Sequence, residues 1–376
     1  MFIERTAQNL IKNKLLPGKV LVLLGARRVG KTSLLKQLIK HTSENYIFWN
    51  GEDFAVHELL KRRSVQNYKN IIGNASLLII DEAQKIPEAG LILKLIVDSF
   101  EDLKIIVTGS SAFDITNLTG EPLTGRKIGI NIFPVAENEF QKIEKPEQRK
   151  DNLMQRMIYG NMPELINLNN NSDKEEYLRT LINSYLLKDV LAFENLRNSS
   201  KLFNLLKLIA FQVGSEVSIQ ELGRQLAMSK NTIEKYLDIL SKVFVIYKLT
   251  GFSRNLRKEI VKNSKWYFYD NGIRNAIIAD FNLLENRSDK EILWENYMMS
   301  ERIKYQHYNG IYSNRYFWRT YDKQEIDLIE EREGKLFAYE FKWTKNKEKA
   351  PAGWRGAYPD SEFQTITKDN YVDWIF

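Results

Sequence analysis

The sequence predicts an α/β protein made of several domains. Its 376 residues correspond to two or three domains of about 150 residues each. In the first 135 residues, short apolar runs such as 77–80 alternate with segments of helical spacing. This alternation is typical of a doubly wound parallel sheet with helices on both faces. Hydrophobic residues at 43% and charged residues at 27% give an ordinary globular composition, which excludes a disordered or fibrous chain.

The composition excludes several classes of chemistry. The chain has no cysteine, so disulfide scaffolds, thiolate zinc sites, iron–sulfur clusters and cysteine nucleophiles are ruled out. Its three histidines, His41, His57 and His307, are too far apart in sequence to suggest a shared metal. No apolar run approaches the roughly 18 residues that span a bilayer, and the start has no secretory pattern. We therefore expect a soluble, cytoplasmic protein with no membrane partner.

Positive charge is concentrated in two segments. Residues 1–40 hold nine Lys or Arg and one acid, and residues 201–265 hold twelve Lys or Arg and five acids. The net charge of the whole chain is +7, so the remainder is acidic. Each basic segment could meet a polyanion such as a nucleotide phosphate or a nucleic-acid backbone. A solvated lysine-rich surface is the alternative interpretation.

A phosphate-binding loop follows the first predicted strand. The apolar run at 19–25 ends in glycine, and Gly25–Thr32 has the pattern G-x-x-x-x-G-K-T before a segment of helical spacing. The glycines let backbone N–H groups face the phosphates, and the helix start adds positive potential. Lys31 would reach the β- and γ-phosphates, and Thr32 would ligate Mg²⁺. The predicted nucleotide-binding residues are Gly25, Ala26, Arg27, Arg28, Val29, Gly30, Lys31, Thr32, Ser33 and, further on, Ser110.

A Walker B motif follows fifty residues after Lys31. The apolar strand at 77–80 ends in Asp81 and Glu82. Asp81 would hold the Mg²⁺ shell and Glu82 would polarise the attacking water. The alternative is a strand that ends in surface acids, which the upstream phosphate-binding loop makes the weaker interpretation.

Two further residues are candidates for this site. Ser110 follows a third apolar strand at 104–107, where a hydroxyl would lie beside the γ-phosphate; a simple turn is the alternative. Arg126 precedes another strand-like stretch at 127–133. It could act as an arginine finger on a neighbouring subunit's nucleotide, which would imply a homo-oligomer. A structural arginine that closes the domain is the alternative.

The middle of the chain predicts helices and then a winged helix. Ser218 and Ser229 are placed to cap two consecutive helices, and strands are expected at 243–249 and 266–269. The second helix would present Lys230, Asn231, Thr232 and Lys235 to DNA bases. The predicted wing would touch phosphates through Arg254, Arg257, Lys258, Lys262 and Lys265. The alternative is a lid or a protein-binding surface.

Carboxylates and a lysine are brought together in the predicted C-terminal domain. Asp327 and Glu340 fall on two strands of one apparent hairpin, and alternation puts Lys342 on the same face as Glu340. Such a group can bind Mg²⁺ and orient a water for attack on a phosphodiester. The group resembles the D…E-x-K core of PD-(D/E)XK nucleases, a resemblance that implies Glu295, on a predicted helix, as an additional metal ligand. A salt-bridged strand pair at a sheet edge is the alternative.

These motifs resemble those of prokaryotic AAA+-superfamily P-loop ATPases that carry a winged helix and a C-terminal restriction-endonuclease-like, PD-(D/E)XK-type domain of unknown function. The resemblance implies ATP and Mg²⁺ as cofactors, ATP hydrolysis, and a winged helix between the two end domains. The predicted domains are the ATPase at 1–135, a helical segment at 136–213, the winged helix at 214–272 and the nuclease-like domain at 273–376. The matching segments are Gly25–Thr32, 77–84, 108–111, 125–126, 133–134, 270–272, 294–296, 325–327 and 340–342.

Three functions compete at this point. The leading hypothesis is an Mg²⁺-ATP-hydrolysing ATPase coupled to double-stranded DNA through the winged helix and the nuclease-like domain. The second is an ATP-gated, Mg²⁺-dependent DNA nuclease with Asp327, Glu340 and Lys342 as catalytic residues. The third is a nucleotide-dependent switch that binds a protein partner and hydrolyses little ATP.

Overall fold

A computed structural model describes residues 3–109, 123–183, 199–253, 263–344 and 349–376. The chain folds as two compact units divided between Phe133 and Pro134, with the short segment Lys242–Phe244 assigned to the first. No helix in these described ranges is long and apolar enough to cross a membrane.

The first unit is a parallel five-stranded sheet with helices. Its strands lie in the order β2-β3-β4-β1-β5. The two strands whose ends carry the phosphate-binding motifs are separated by β4. The strands are β1 (Val20–Leu24), β2 (Tyr46–Asn50), β3 (Leu77–Asp81), β4 (Lys104–Gly109) and β5 (Lys127–Asn131). The helices are α1 (Ala7–Lys14), α2 (Lys31–Lys40), α3 (Phe54–Lys61), α4 (Val65–Ile72) and α5 (Ala89–Ser99).

The sequence pattern explains these elements. All five residues of β3 are buried, as expected for a strand covered on both faces of a parallel sheet. The side chain of Asp53 caps α3 by accepting from the Ala55 N–H, and Ser64 caps α4 by accepting from Asn67. Helix α1 buries Ala7 and Ile11.

The second unit contains one mixed seven-stranded sheet and most of the helices. The sheet order is β12-β11-β10-β9-β7-β8-β6. Its strands are β6 (Glu216–Val217), β7 (Ile246–Gly251), β8 (Ser264–Phe268), β9 (Asn314–Arg319), β10 (Glu325–Arg332), β11 (Lys335–Phe341) and β12 (Glu362–Ile366). The helices are α6 (Glu137–Gln141), α7 (Arg149–Tyr159), α8 (Asn171–Leu181), α9 (Ser199–Phe211), α10 (Ile219–Leu226), α11 (Lys230–Lys242), α12 (Asn271–Ile278), α13 (Lys290–Tyr308), α14 (Ala352–Ala357) and α15 (Tyr371–Ile375).

The seven-stranded sheet joins two segments that the sequence assigned to separate domains. β6, β7 and β8 form an antiparallel group, and β7 also pairs in parallel with β9, Thr250 opposite Tyr316. Helix α13 is fastened to β8, because Asn296 accepts from the Phe268 N–H and donates to the Phe268 carbonyl. The predicted division into 136–213, 214–272 and 273–376 therefore falls inside one compact unit.

A buried polar network holds α6, α7 and α13 together. Glu137 and Glu301 are 0% and 2% exposed. The Arg156 guanidinium donates to both oxygens of Glu137, at 2.9 and 2.7 Å, and to Glu144 at 2.5 Å. The hydroxyl of Tyr297 also donates to Glu137, at 2.5 Å. This network makes the start of the second unit depend on a helix more than 130 residues further along the chain.

Candidate functional site

The phosphate-binding loop connects β1 to α2 at the carboxyl edge of the first sheet. A Cβ on Gly25 would lie 2.1 Å from the Ile132 carbonyl oxygen, so only glycine fits there. Gly30 has a φ of 93°, a left-handed conformation that glycine adopts without strain, and it directly precedes α2. The two glycines of the motif are thus required by a close approach and by a positive φ.

Lys31 is held within the loop that it belongs to. Its ammonium donates to the carbonyls of Gly25 and Ala26, at 2.9 and 3.0 Å, and the residue is 5% exposed. Since α2 begins at Lys31, this ammonium lies at the positive end of the helix. The arrangement keeps a positive charge where a phosphate chain would meet the loop.

The Walker B aspartate, at the end of β3, is hydrogen-bonded to the start of α2 and to β4. Asp81 accepts from the Thr32 hydroxyl at 2.7 Å and from the Thr108 hydroxyl at 2.5 Å. The Thr108 oxygen in turn accepts from the Glu82 N–H at 2.8 Å. Thr108 reaches both acids because β4, which carries it, lies between β1 and β3. The sequence placed Thr108 at a strand end but did not predict this bridging role.

Glu82 follows Asp81 in a left-handed conformation with a φ of 51°. One of its carboxylate oxygens accepts from the Gln84 side-chain amide at 2.5 Å. Gln84 therefore fixes the orientation of the predicted general base, which is a second contact that the sequence did not anticipate. Positive φ strains the backbone of a non-glycine residue, and such strain at the predicted general base is typical of functional sites.

Arg5 supports the phosphate-binding loop from within the first unit. It is 5% exposed and donates to the carbonyls of Val29, at 2.9 Å, and Phe133, at 2.6 Å. The guanidinium therefore ties the loop to the end of the segment that follows β5. Sequence reasoning missed it, because a single arginine before a helix has no recognisable pattern.

Arg126 lies at the opposite edge of the sheet from the phosphate-binding loop. Its carbonyl accepts from the Val20 N–H, at the beginning of β1, whereas the loop follows the end of β1. Its guanidinium donates to Asp98 at 2.5 Å. The ion pair with Asp98 fits the structural alternative, and action on a neighbouring subunit's nucleotide stays a prediction. Ser110, the other predicted residue of this group, lies outside the described residues.

The predicted DNA-binding surface is only partly described. Lys230, Asn231 and Lys235 are exposed at the start of α11, and the Thr232 hydroxyl lies 2.7 Å from that of Ser229. Ser229 also accepts from the Thr232 N–H at 3.1 Å, as predicted for a helix cap. Arg254, Arg257, Lys258 and Lys262 lie outside the described residues.

The prediction that Lys265 belongs to an exposed basic wing is wrong. Lys265 is 1% exposed, and its ammonium donates to Glu325. All five residues of β8 are buried, so the lysine points into the protein. Lys265 instead joins the acids of the C-terminal segment, which also include Glu325, a residue that the sequence did not single out.

We call this group the carboxylate cluster; its members are Glu295, Glu325, Asp327, Glu340, Lys265, Lys342 and Tyr267. Tyr267 donates to Glu295 at 2.7 Å, and Lys342 pairs with Glu340 at 3.1 Å. Asp327 accepts from the Phe341 N–H at 2.8 Å, and the register between β10 and β9 shifts beside it. All four residues predicted for this site are therefore brought together, with Lys265 and Tyr267 added by β8.

The electrostatics of the cluster are those of a buried, like-charged group. Burial raises the pKa of Asp327, and the carboxylates of Glu295 and Glu340 raise it further. Burial also raises the pKa of Glu295. For Lys265, burial would lower the pKa, but the surrounding acids outweigh it and keep the ammonium charged.

The carboxylates do not converge on a single point. Among the described residues, no group of three or more His, Asp or Glu side chains is arranged to hold a metal ion. Each acid of the cluster is instead engaged by a protein donor: Tyr267, Lys265, Lys342 or the Phe341 N–H. A cleft of about 490 Å³ opens beside the cluster and is lined by Lys323, Gln324, Glu325, Glu340, Pro351 and Ala352.

Replacing Asp327 with asparagine is expected to stabilise the protein at neutral pH. Because the pKa of Asp327 is raised in the folded state, this carboxyl favours folding at acid pH, and the contribution is lost as pH rises through the folded pKa. Asparagine keeps the acceptor for Phe341 but carries no charge. The melting temperature of Asp327→Asn should exceed that of the wild type at pH 7.5, and the gain should shrink towards about pH 4.

The matched control for this prediction is Asp322→Asn, which removes an exposed acid just before β10. It should leave the melting temperature nearly unchanged at both pH values. A wild type that is more stable than Asp327→Asn at pH 7.5 would contradict the interpretation of the cluster as electrostatically strained.

The comparisons agree with the geometry of the first unit. Residues 17–141 match a family described as an AAA domain. A strand–loop–helix phosphate cradle with the Lys31, Thr32 and Asp81 arrangement defines a P-loop domain, and the match shows that this domain is similar to AAA-type ATPase domains. Residues 150–284 and 290–370 match two families described as domains of unknown function, DUF8612 and DUF4143.

Similar proteins come from bacteria and archaea. Uncharacterized protein Rv2008c of Mycobacterium tuberculosis is 25% identical over 354 residues, which are 92% of this chain and 75% of the relative. Uncharacterized protein MJ1544 of Methanocaldococcus jannaschii is 27% identical over 325 residues, 78% of this chain and 71% of the relative.

Two solved structures show a more distant similarity. A DNA replication initiation factor is 18% identical and aligns with 60% of this chain and 69% of its own, at a TM-score of 0.30. A signal transduction ATPase with numerous domains from Pyrococcus horikoshii is 13% identical and aligns with 82% of this chain and 48% of its own, at a TM-score of 0.31.

Proposed function

We propose that the protein is an Mg²⁺-dependent ATP hydrolase whose turnover is coupled to double-stranded DNA. The single observation that carries the ATPase is the connected set of side chains at the carboxyl edge of the first sheet. Lys31, Thr32, Asp81, Thr108 and Glu82 lie at the ends of the two adjacent strands β3 and β4 and at the start of α2.

The donor set fits Mg²⁺ and a triphosphate. The Thr32 hydroxyl and the Asp81 carboxylate lie 2.7 Å apart. Both offer hard oxygen ligands, the type that Mg²⁺ prefers. Held by Thr32 and Asp81, Mg²⁺ would supply positive charge that neutralises the phosphate oxygens. Lys31 would bind the β- and γ-phosphates, the loop N–H groups would orient the chain, and Glu82 would accept a proton from the attacking water.

The coupling to DNA is supported by the order of elements in the second unit. Helix α9, strand β6, helices α10 and α11, and the antiparallel strands β7 and β8 follow the order of a winged helix. The exposed start of α11 presents Lys230, Asn231 and Lys235 as a recognition helix would. We propose that this surface binds duplex DNA.

A second candidate function is a DNA nuclease gated by ATP. The observation that favours it is the carboxylate cluster beside the 490 Å³ cleft, which Glu325 and Glu340 both line. Two or more acids with Lys342 could bind Mg²⁺ and orient a water for phosphodiester hydrolysis. In this proposal Glu295, Asp327 and Glu340 would be metal ligands, as the sequence predicted.

The test measures phosphate release from ATP and Mg²⁺, with and without duplex DNA, and the integrity of the DNA in the same tubes. We expect DNA to stimulate turnover. The double variant Lys230→Ala with Lys235→Ala should weaken DNA binding. The slope of the logarithm of the binding constant against the logarithm of salt concentration should become shallower by about two. Lys335→Ala, which removes an exposed lysine at the start of β11, is the control and should change neither.

The outcomes separate the candidate functions. Turnover that ignores DNA would overturn the coupling and favour a nucleotide-dependent switch that acts on a protein partner. DNA that is cut by the wild type but stays intact with Asp327→Ala would support the nuclease. Intact DNA across linear, nicked and supercoiled forms would overturn the nuclease while leaving the ATPase in place.

A further inference from the structure

The carboxylate cluster contains a cation that no sequence motif placed there. Lys265 comes from β8, on the winged-helix side of the sheet, and its ammonium donates to Glu325 on β10. The residue is 1% exposed, whereas the side chain of Glu325 is 35% exposed and lines the cleft. The buried ammonium therefore contacts the cluster through a carboxylate, Glu325, that lines the cleft.

Lys265 is held in place by its surroundings. Its backbone is fixed in the centre of an antiparallel group, opposite Leu249 of β7 on one side and Glu216 of β6 on the other. Its ammonium also lies 5.2 Å from the centre of the Phe317 ring, a favourable cation–π contact. Two residues further along the same face of β8, Tyr267 donates to Glu295. The strand thus presents two donors to the acids.

The cluster holds more acids than cations, so full ionisation of its carboxyl groups calls for a further cation. Four carboxylates face two lysines, Lys265 and Lys342, and Lys342 already pairs with Glu340. The buried hydroxyl of Tyr247 is a second sign that a polar ligand belongs here. Tyr247 is 9% exposed, its hydroxyl has no hydrogen-bond partner within the described part of the chain, and it lies within electrostatic reach of Glu295.

We propose that Lys265 is an internal counter-ion of the carboxylate cluster and that it competes with a divalent cation entering through the cleft. This inference rests on the proposed metal-binding role of the cluster. The lysine ammonium takes up the charge that Mg²⁺ or Mn²⁺ would neutralise, and it engages Glu325 at the mouth of the site. Since its four-carbon stem is flexible, the ammonium can turn away from Glu325 when a metal arrives.

The proposal explains why the acids are close and yet do not converge. With Lys265 on Glu325, Lys342 on Glu340 and Tyr267 on Glu295, each carboxylate is drawn to a different donor. Removing the Lys265 charge should let Glu295 and Asp327 share a metal with the acids at the cleft. Metal occupancy would then be set by β8, a strand of the sheet that the winged-helix segment and the nuclease-like segment share.

The test compares Mn²⁺ binding by the wild type and Lys265→Met, using the full chain without nucleotide and electron paramagnetic resonance of free Mn²⁺. We expect Lys265→Met to bind Mn²⁺ about tenfold more tightly or better, because a competing positive charge is gone. The gain should vanish when Asp327→Asn is added. Lys248→Met, which removes an exposed lysine opposite Trp266 on the neighbouring strand, should bind like the wild type.

A second measurement on the wild type covers the case in which Lys265→Met does not fold. Acylation of Lys265 by acetic anhydride, followed by mass spectrometry, should be slow without metal and become faster with saturating Mn²⁺. Unchanged labelling of Lys265 while Mn²⁺ binds through Asp327 would overturn the proposal.

The results distinguish this inference from the metal site on which it rests. Wild-type binding that depends on Asp327 but is no tighter in Lys265→Met would overturn the counter-ion role and leave the metal site standing. Absence of Mn²⁺ binding in both folded proteins would overturn both. Tighter binding that persists with Asp327→Asn would place the metal elsewhere and would also overturn the counter-ion role.

Discussion

Replacing Lys31 with alanine is expected to lower ATP turnover by at least about 10²- to 10³-fold. The ammonium is held over the phosphate-binding loop by the carbonyls of Gly25 and Ala26, at the positive end of α2. Alanine removes the positive charge of Lys31, which is the one charged side chain among residues 29–32 of the loop. Phosphate release under saturating ATP measures the loss.

A matched control lies on the same helix. Lys36→Ala removes an exposed lysine of α2 one and a half turns further on, and should leave turnover within about twofold. If both Lys31→Ala and Lys36→Ala keep wild-type turnover, the loop is not the ATPase site.

Glu82→Gln separates binding from chemistry in the same site. The amide keeps the size of the side chain but cannot accept a proton, which should cost about 10²- to 10⁴-fold in turnover. Nucleotide binding should persist, because Lys31, Thr32 and Asp81 are untouched. Loss of both binding and turnover in Glu82→Gln would show that the acid is structural.

The largest effect on stability is expected at Arg156. Its guanidinium makes two hydrogen bonds to Glu137 and one to Glu144, and Glu137 is completely buried. Arg156→Met leaves the buried Glu137 without its cation, which should destabilise the second unit by about 3–5 kcal/mol. For a unit of this size the melting temperature would fall by roughly 6–20 °C.

Two comparisons identify the cause of that loss. Arg179→Met removes an exposed arginine that pairs with Glu175 one helical turn away, and should cost less than about 1 kcal/mol. Arg156→Lys keeps the charge but loses the planar fork, so it should fall between methionine and the wild type. Equal melting temperatures for Arg156→Met and Arg179→Met would show that the buried network contributes little.

The ATPase site was predictable because its signals are local. The pattern Gly25–Thr32 specifies a strand, a loop and a helix within a few residues, and the structure has β1 and α2 at those positions. Asp81 could be placed beside the loop because the carboxyl ends of parallel strands meet at one edge of a sheet. The Thr32–Asp81 hydrogen bond agrees with that placement.

Other members of the same site depend on strand order. Thr108 bridges Asp81 and Glu82 because β4 lies between β1 and β3, and no sequence pattern states which strand takes the central position. Strand order also places Arg126 at the amino edge of the sheet, where its guanidinium pairs with Asp98.

The phosphate-binding loop, the Walker B acids and the grouping of Asp327, Glu340 and Lys342 could be predicted from the sequence, since each depends on neighbours in the chain or on simple alternation. The role of Lys265 could not, because it depends on how distant strands pair. A lysine in a basic stretch of sequence is expected to be exposed. Strand β8, however, is buried along its whole length and pairs with β6 on one edge and β7 on the other. Sixty residues separate Lys265 from Glu325, and only the register of the shared sheet brings the two charges together.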